Sequence, residues 1–192
     1  MKPFLLDYVE SLGHVVFTKG EYNLNIIGIR SKEHKPNSFD DRICVVFRDE
    51  QGWITRTWPC TTEPGRYWLE NPMNVDGTAI LVPGQYRSVY KISKHRGQYD
   101  ALCQRGGTVK CYRDDNKDDI IDSEPESITE GYYGINIHKA GTDSTQVGKW
   151  SAGCQVFSNA KDFEEFMSIC YAAKQKWGDG FSYTLIVEPD GT

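Results

Sequence analysis

The chain has 192 residues, 39% of them hydrophobic and 26% charged, with a formal net charge of −5 and a pI near 5.4. That length suits a single core, and the composition is that of a globular protein rather than a disordered or collagen-like one. No basic stripe is available for nucleic-acid phosphates, and no run approaches the roughly 20 apolar residues of a membrane helix, so neither nucleic acid nor a membrane span is expected.

Five Trp, 11 Tyr and 8 Phe, with Thr, Val and Ile in short runs, point to a sheet-dominated fold. Phe4, Leu5, Tyr8, Val9 and Leu12 at near-helical spacing, closed by Gly13, predict a short N-terminal helix. Asp7 and Glu10 interrupt the start before the apolar core of a signal peptide can develop. Strands are expected at Asn23–Ile29, Ile43–Arg48 and Trp53–Trp58, the last two joined by the turn residues Asp49-Glu50-Gln51-Gly52. From Pro59 to Pro83 the pairs Pro64-Gly65, Asn71-Pro72 and Asp76-Gly77 predict a looping connection. Strands resume at Gln85–Ile92 and Thr108–Tyr112, an acidic segment follows, and Gly131–His138 reads as a strand ending in a loop that runs to Trp150. Phe163, Phe166, Met167, Cys170 and Tyr171 recur at helical spacing over Ala160–Trp177, with Gly178 just past the end. Phe181–Val187 alternates as a closing strand. The expected fold is α+β and mostly β, a mixed sheet or sandwich with one main helix. Residues 1–30 form an N-terminal extension packed on a domain over residues 31–192.

Six cysteines are present and none forms a CxxC pair, so reduced, mostly buried thiols are the default for all but one. The exception is Cys154, in Trp150-Ser151-Ala152-Gly153-Cys154-Gln155-Val156, which follows Gly134-Ile135-Asn136-Ile137-His138 along the chain. A thiol with a reference pKa of about 8.5 is mostly protonated at neutral pH, so a nucleophilic cysteine needs a base or a positive charge nearby. His138, at a strand end, is the candidate. The small-residue turn before Cys154, read as lying just ahead of a helix, is placed to offer backbone N–H groups to a thiolate or an oxyanion.

Taken singly, a cysteine is more often a buried structural thiol and a histidine more often a hydrogen-bonded bystander. The two segments together resemble the L,D-transpeptidase catalytic-domain family of peptidoglycan enzymes, whose pattern is a strand ending in Ile-His, a loop, and then Ser-x-Gly-Cys. Ile137-His138 and Ser151-Ala152-Gly153-Cys154 match it. Pro59-Cys60-Thr61-Thr62 and Val82-Pro83-Gly84-Gln85-Tyr86 are similar to its upstream segments. The resemblance implies Cys154 as nucleophile, His138 as base, and Ser151 and Gly153 as parts of the turn that shapes the oxyanion site. It implies no cofactor or metal, and peptidoglycan stem peptides as partners.

Where the family carries an apolar residue followed by Arg or Asn, this chain has Gln155 and Val156. Arg105, Arg113, Lys139 and Lys149 are candidate replacements for binding a stem carboxylate. Trp150, Ala152, Gln155, His95 and Arg113 are expected to line the substrate site, Tyr99 accompanies His95, and Asp143 is a weaker candidate for orienting His138. Asp114, Asn116 and Asp118 mimic the start of a calcium loop, but Asp119 and Pro125 stand where Gly and Glu belong, so a solvated acidic turn is expected.

The functional expectation is a cysteine-dependent transpeptidase or carboxypeptidase acting at the bacterial wall. With no export signal, a phage lysis protein or an effector released by a non-classical route fits. The alternatives are a non-catalytic wall-binding or virion domain and an unrelated cysteine peptidase.

Overall fold

The computed structural model describes residues 1–33, 35 and 37–189. Eight strands close into a barrel: β1 (Asn25–Arg30), β2 (Asp41–Asp49), β3 (Gly52–Thr61), β5 (Gly84–His95), β6 (Tyr99–Gln104), β9 (Ile137–Lys139), β10 (Gln155–Phe157) and β11 (Phe181–Val187). Around the barrel their order is β1-β11-β5-β6-β9-β10-β3-β2. A second, three-stranded sheet, β4-β7-β8, is made of β4 (Thr78–Leu81), β7 (Val109–Asp114) and β8 (Thr129–Gly131). The helices are α1 (Phe4–Ser11), α2 (Arg66–Glu70) and α3 (Ala160–Trp177). The protein is therefore mostly β, as its composition predicts, but the main sheet closes on itself instead of forming an open layer.

Each element follows from a local rule. β1 is buried along its whole length because both of its faces are covered. Ile26 points to the barrel core, whereas Ile27 and Ile29 pack with Leu6 and Val9 of α1. The first strand thus pairs in parallel with β11 and antiparallel with β2, inside the barrel. Asp49 Oδ1 accepts from the N–H groups of Gln51 and Gly52, closing the expected β2–β3 hairpin. Asn159 caps α3 by accepting from Lys161 N at 2.8 Å, and Gly178, at φ +85°, follows its last turn. The buried face of α3, with Phe163, Phe166, Met167, Cys170 and Ala173, enters the main core. No helix among the described residues is long and apolar enough to cross a membrane.

Three local expectations are corrected. The stretch from Pro59 to Pro83 holds the end of β3, the helix α2 and the strand β4, because Leu69, Ile80 and Leu81 are all fully buried despite the turn residues around them. β6 was not foreseen; its apolar run Ala101-Leu102-Cys103 is short and buried, with no alternation to announce it. The single strand predicted over Gly131–His138 divides into the end of β8 in the small sheet and β9 in the barrel, with irregular backbone between them that carries Gly134 at φ +70°.

Phe166 is fully buried against Trp58, Phe157 and Phe163. Phe166→Ala is expected to destabilise the fold by about 3–5 kcal/mol through lost burial and the cavity left behind, read as a lower denaturant midpoint with an unchanged slope.

Candidate active site

The site is built where β9 and β10 run parallel, with Gln155 opposite Ile137 and Val156 opposite His138. Cys154 immediately precedes β10 and Asn136 immediately precedes β9. The Asn136 N–H donates to the Cys154 sulfur at 3.4 Å, and the thiol reaches the Gly134 carbonyl at 3.5 Å. With side chains alternating along a strand, His138 and Asn136 share a side of β9, two residues apart. A separation of 16 positions in sequence is thereby reduced to neighbouring positions on paired strands.

Cys154 is the only cysteine among the described residues that is not buried; Cys44, Cys60, Cys103, Cys111 and Cys170 are interior and unpaired. It stands on the wall of a cavity of about 560 Å³, together with His95, Asn136, Ala152, Arg96, Arg105 and Arg113. Residues of the small sheet and its connections, Thr78, Ala79, Tyr132 and Tyr133, complete the cleft.

The turn before the sulfur is held from within. Ser151 Oγ accepts from Gly153 N at 3.2 Å and donates to the Cys154 carbonyl at 2.8 Å, and its side chain has no exposure to solvent. Gly153 has φ +116°, and a Cβ there would lie 2.3 Å from the Ala79 carbonyl oxygen. Both residues therefore shape the turn. Below the turn, the Gln155 amide nitrogen donates to the Gly153 and Thr62 carbonyls while its Oε1 accepts from Tyr183 Oη at 2.8 Å. Gly28 is the partner of this arrangement, since a Cβ at that position would sit 1.8 Å from the Tyr183 hydroxyl oxygen.

One imidazole, His95, lines the cleft, and a second, His138, is buried against it. His95 at the end of β5 stacks on His138 with ring centroids 4.0 Å apart and planes tilted by 20°. Hydrogen bonding assigns their tautomers. His138 Nδ1 lies 2.9 Å from the Lys139 carbonyl, which can only accept, so Nδ1 carries the hydrogen and Nε2 keeps a free lone pair. Tyr99 Oη donates to the same carbonyl at 3.2 Å. For His95 the assignment is reversed. Asn136 Oδ1 accepts from Gln104 N at 2.9 Å, which orients the amide so that Nδ2 donates to His95 Nδ1 at 3.1 Å. His95 thus carries its hydrogen on Nε2 and offers a donor, whereas His138 offers a base.

Burial sets the charge states. It lowers the His138 pKa to about 3, assisted by His95, against the raising effect of the Lys139 carbonyl. Burial likewise raises the Cys154 thiol to about 11, opposed by the Asn136 N–H and the Arg96 charge. The resting pair is therefore a neutral thiol and a neutral imidazole. Among the described residues, no hydrogen bond joins the two side chains; the sulfur's partners are Asn136 and Gly134.

Several expected roles are corrected. Strand β10 separates Cys154 from α3, so the helix N-terminus is not at the sulfur, and the donor that reaches it is the Asn136 N–H. Gln155, expected to bind substrate, is fully buried beneath the turn. Trp150 is 46% exposed and lies off the cavity wall, near Gly141. Asp143 pairs with Asn159 rather than with His138. Lys139 and Lys149 lie over the rings of Tyr99 and Tyr67. Ala152, His95, Arg105 and Arg113 do line the cleft. Asn136 and Arg96 were missed; Asn136 lies within the quoted His138 segment, but nothing in its spacing marks it. In the acidic segment, Asp114 is buried and accepts from Asp122 N, and no group of three or more His, Cys, Asp or Glu side chains among the described residues is arranged to hold a metal. Comparison with family models, with curated proteins and with solved structures found no match.

Two predictions follow from these charge states. A histidine whose folded pKa falls below the unfolded value of about 6.5 binds fewer protons when native, so stability is complete above that pH and is lost as pH falls toward 3. Between pH 7 and pH 4.5 the wild type should lose about 3 kcal/mol more than His138→Gln does, measured by denaturant unfolding at both pH values. Native alkylation with iodoacetamide, read by mass spectrometry, should label Cys154 first, slowly at pH 7 and faster as pH approaches 11.

Proposed function

We propose that this protein is a cysteine-dependent acyl-transfer enzyme acting on peptidoglycan stem peptides, of L,D-transpeptidase or L,D-carboxypeptidase type, with a barrel of that family's kind. The observation that carries this reading is the one cysteine among the described residues that is not buried, on the wall of a large cleft, with a buried imidazole on the neighbouring strand whose Nδ1–H is tied to a carbonyl. The order of the parts supports it as well: strand, His138, loop, Ser-Ala-Gly-Cys turn, strand, helix and closing strand.

In this mechanism Cys154 attacks the carbonyl of the stem's third residue as its proton passes to His138 Nε2. Because both groups rest neutral, His138 works as a general base during attack and not as half of a standing ion pair. The depressed imidazole pKa weakens the base thermodynamically; desolvation on substrate binding and the tied Nδ1–H favour its orientation. The tetrahedral intermediate collapses by breaking the amide C–N bond, with His138 returning the proton to the departing D-alanine nitrogen. A Cys154 thioester remains. An amine from a second stem converts it to a cross-link, and water converts it to a trimmed stem. Action at the bacterial wall is part of the same proposal.

The test is mass spectrometry of purified tetrapeptide muropeptides incubated with the protein. Loss of D-alanine, or its exchange for an added amino acid, is expected from wild type. Cys154→Ala should abolish it, and His138→Gln should slow it by about 10²–10⁴-fold. Intact stems with wild-type protein would sink the enzymatic reading; stems that are bound but unchanged would favour a non-catalytic wall-binding domain. Cleavage of casein without muropeptide turnover would favour a peptidase acting on proteins.

A further inference from the structure

We propose that the cleft is a clamp for a peptide bearing at least two free carboxylates, gripped by Arg96, Arg105 and Arg113. The identity of that peptide as a peptidoglycan stem rests on the reading above; the selection for carboxylates does not.

Three separate segments deliver these side chains: the turn between β5 and β6, the exit of β6, and β7. Asp and Glu outnumber Lys and Arg by 27 to 22 in the chain, yet the wall of this cavity holds three arginines and no acidic residue. None of the three forms an ion pair with another described residue, whereas Arg42, Arg56 and Arg66 elsewhere face Glu188, Glu165 and Asp119. A concave wall of one charge sign concentrates ligands of the other.

Arg113 is pre-set. Its Nε donates to Thr129 Oγ1 at 2.9 Å, its Nη1 to the Gly77 carbonyl at 3.4 Å, and its guanidinium lies 4.2 Å from the Tyr133 ring centroid, which leaves the Nη2 donors of its fork for a ligand. Arg96 is held at φ +50°, in the left-handed region, first of the three residues between β5 and β6, in a turn closed by Gln98 N donating to the His95 carbonyl, where Asn or Gly is the more usual occupant. An arginine kept there at a conformational cost, on the rim of the cleft, is placed by its side chain's use rather than by its backbone preference. Its charge reaches Cys154 and His138, lowering the pKa of both, while neither Arg105 nor Arg113 contributes at the sulfur. The three cations reach the wall from three separate segments, a division that suits a ligand with carboxylates at separate points. These arginines supply the anion recognition for which Gln155, buried under the turn, has no access.

Calorimetry with the Cys154→Ala protein separates binding from turnover. The probes are a synthetic tetrapeptide stem with its carboxylates free and the same peptide with all of them amidated. The free acid should bind at least tenfold more tightly, and its affinity should fall as salt is raised. Added Arg96→Gln or Arg105→Gln should each weaken it by about five- to twentyfold and leave the amidated peptide unaffected. Both arginines are exposed, so these variants should keep the parent's denaturation midpoint. Equal binding of acid and amide, or arginine variants that bind like the parent, would overturn the clamp. Arginine-dependent binding in a protein whose wild type turns over no muropeptide would uphold the clamp and reject the enzyme; turnover without preference for the free acid would do the reverse.

Discussion

Everything at the candidate site depends on the parallel pairing of β9 with β10. Each strand is only three residues long, yet their register places the Asn136 N–H against the Cys154 sulfur and sets His138 on the neighbouring strand. A slip of one residue would turn the side chains to opposite faces. The register is secured on both sides, by β6 through Leu102 and Ile137 and by β3 through Thr61 and Cys60. The buried Tyr183–Gln155–Thr62 hydrogen bonds lock the strand bearing the thiol from within the barrel.

That scaffold explains how a residue expected to touch substrate instead supports the turn. Gln155 is polar and directly follows the cysteine, so in sequence it looks like a ligand contact. Alternation along β10 sends it inward, where its amide satisfies two carbonyls and accepts a tyrosine hydroxyl. Arginines from distant segments populate the cleft instead. Burial, meanwhile, holds thiol and imidazole in their neutral forms, and neutral groups can coexist in that desolvated setting without the cost of an unpaired charge.

Much of the fold was legible. The α3 periodicity with Gly178 beyond it and the β2–β3 turn residues are local signals that the structure realises; β11 stands where its sequence places it, but buried from Tyr183 to Ile186 instead of alternating. β6 and the division between β8 and β9 were not legible, because short buried strands lack alternation and owe their pairing to distant partners. At the site, Cys154 and His138 could be singled out by context. Asn136, which donates to the sulfur through its backbone and to His95 through its side chain, gave no residue-type signal, since a backbone donor is common to nearly every residue.

The sequence by itself determined a mostly β chain with one short and one long helical signal, and it determined which thiol and which imidazole deserve comparison, because periodicity, turn chemistry and motif spacing are properties of contiguous residues. The tertiary structure alone decided that the sheet closes, that five thiols are interior while one meets a cleft, that His95 stacks on His138 with the opposite tautomer, and that three arginines share one wall. Those are relations between residues on separate elements, set by strand pairing and burial, and no local pattern encodes them.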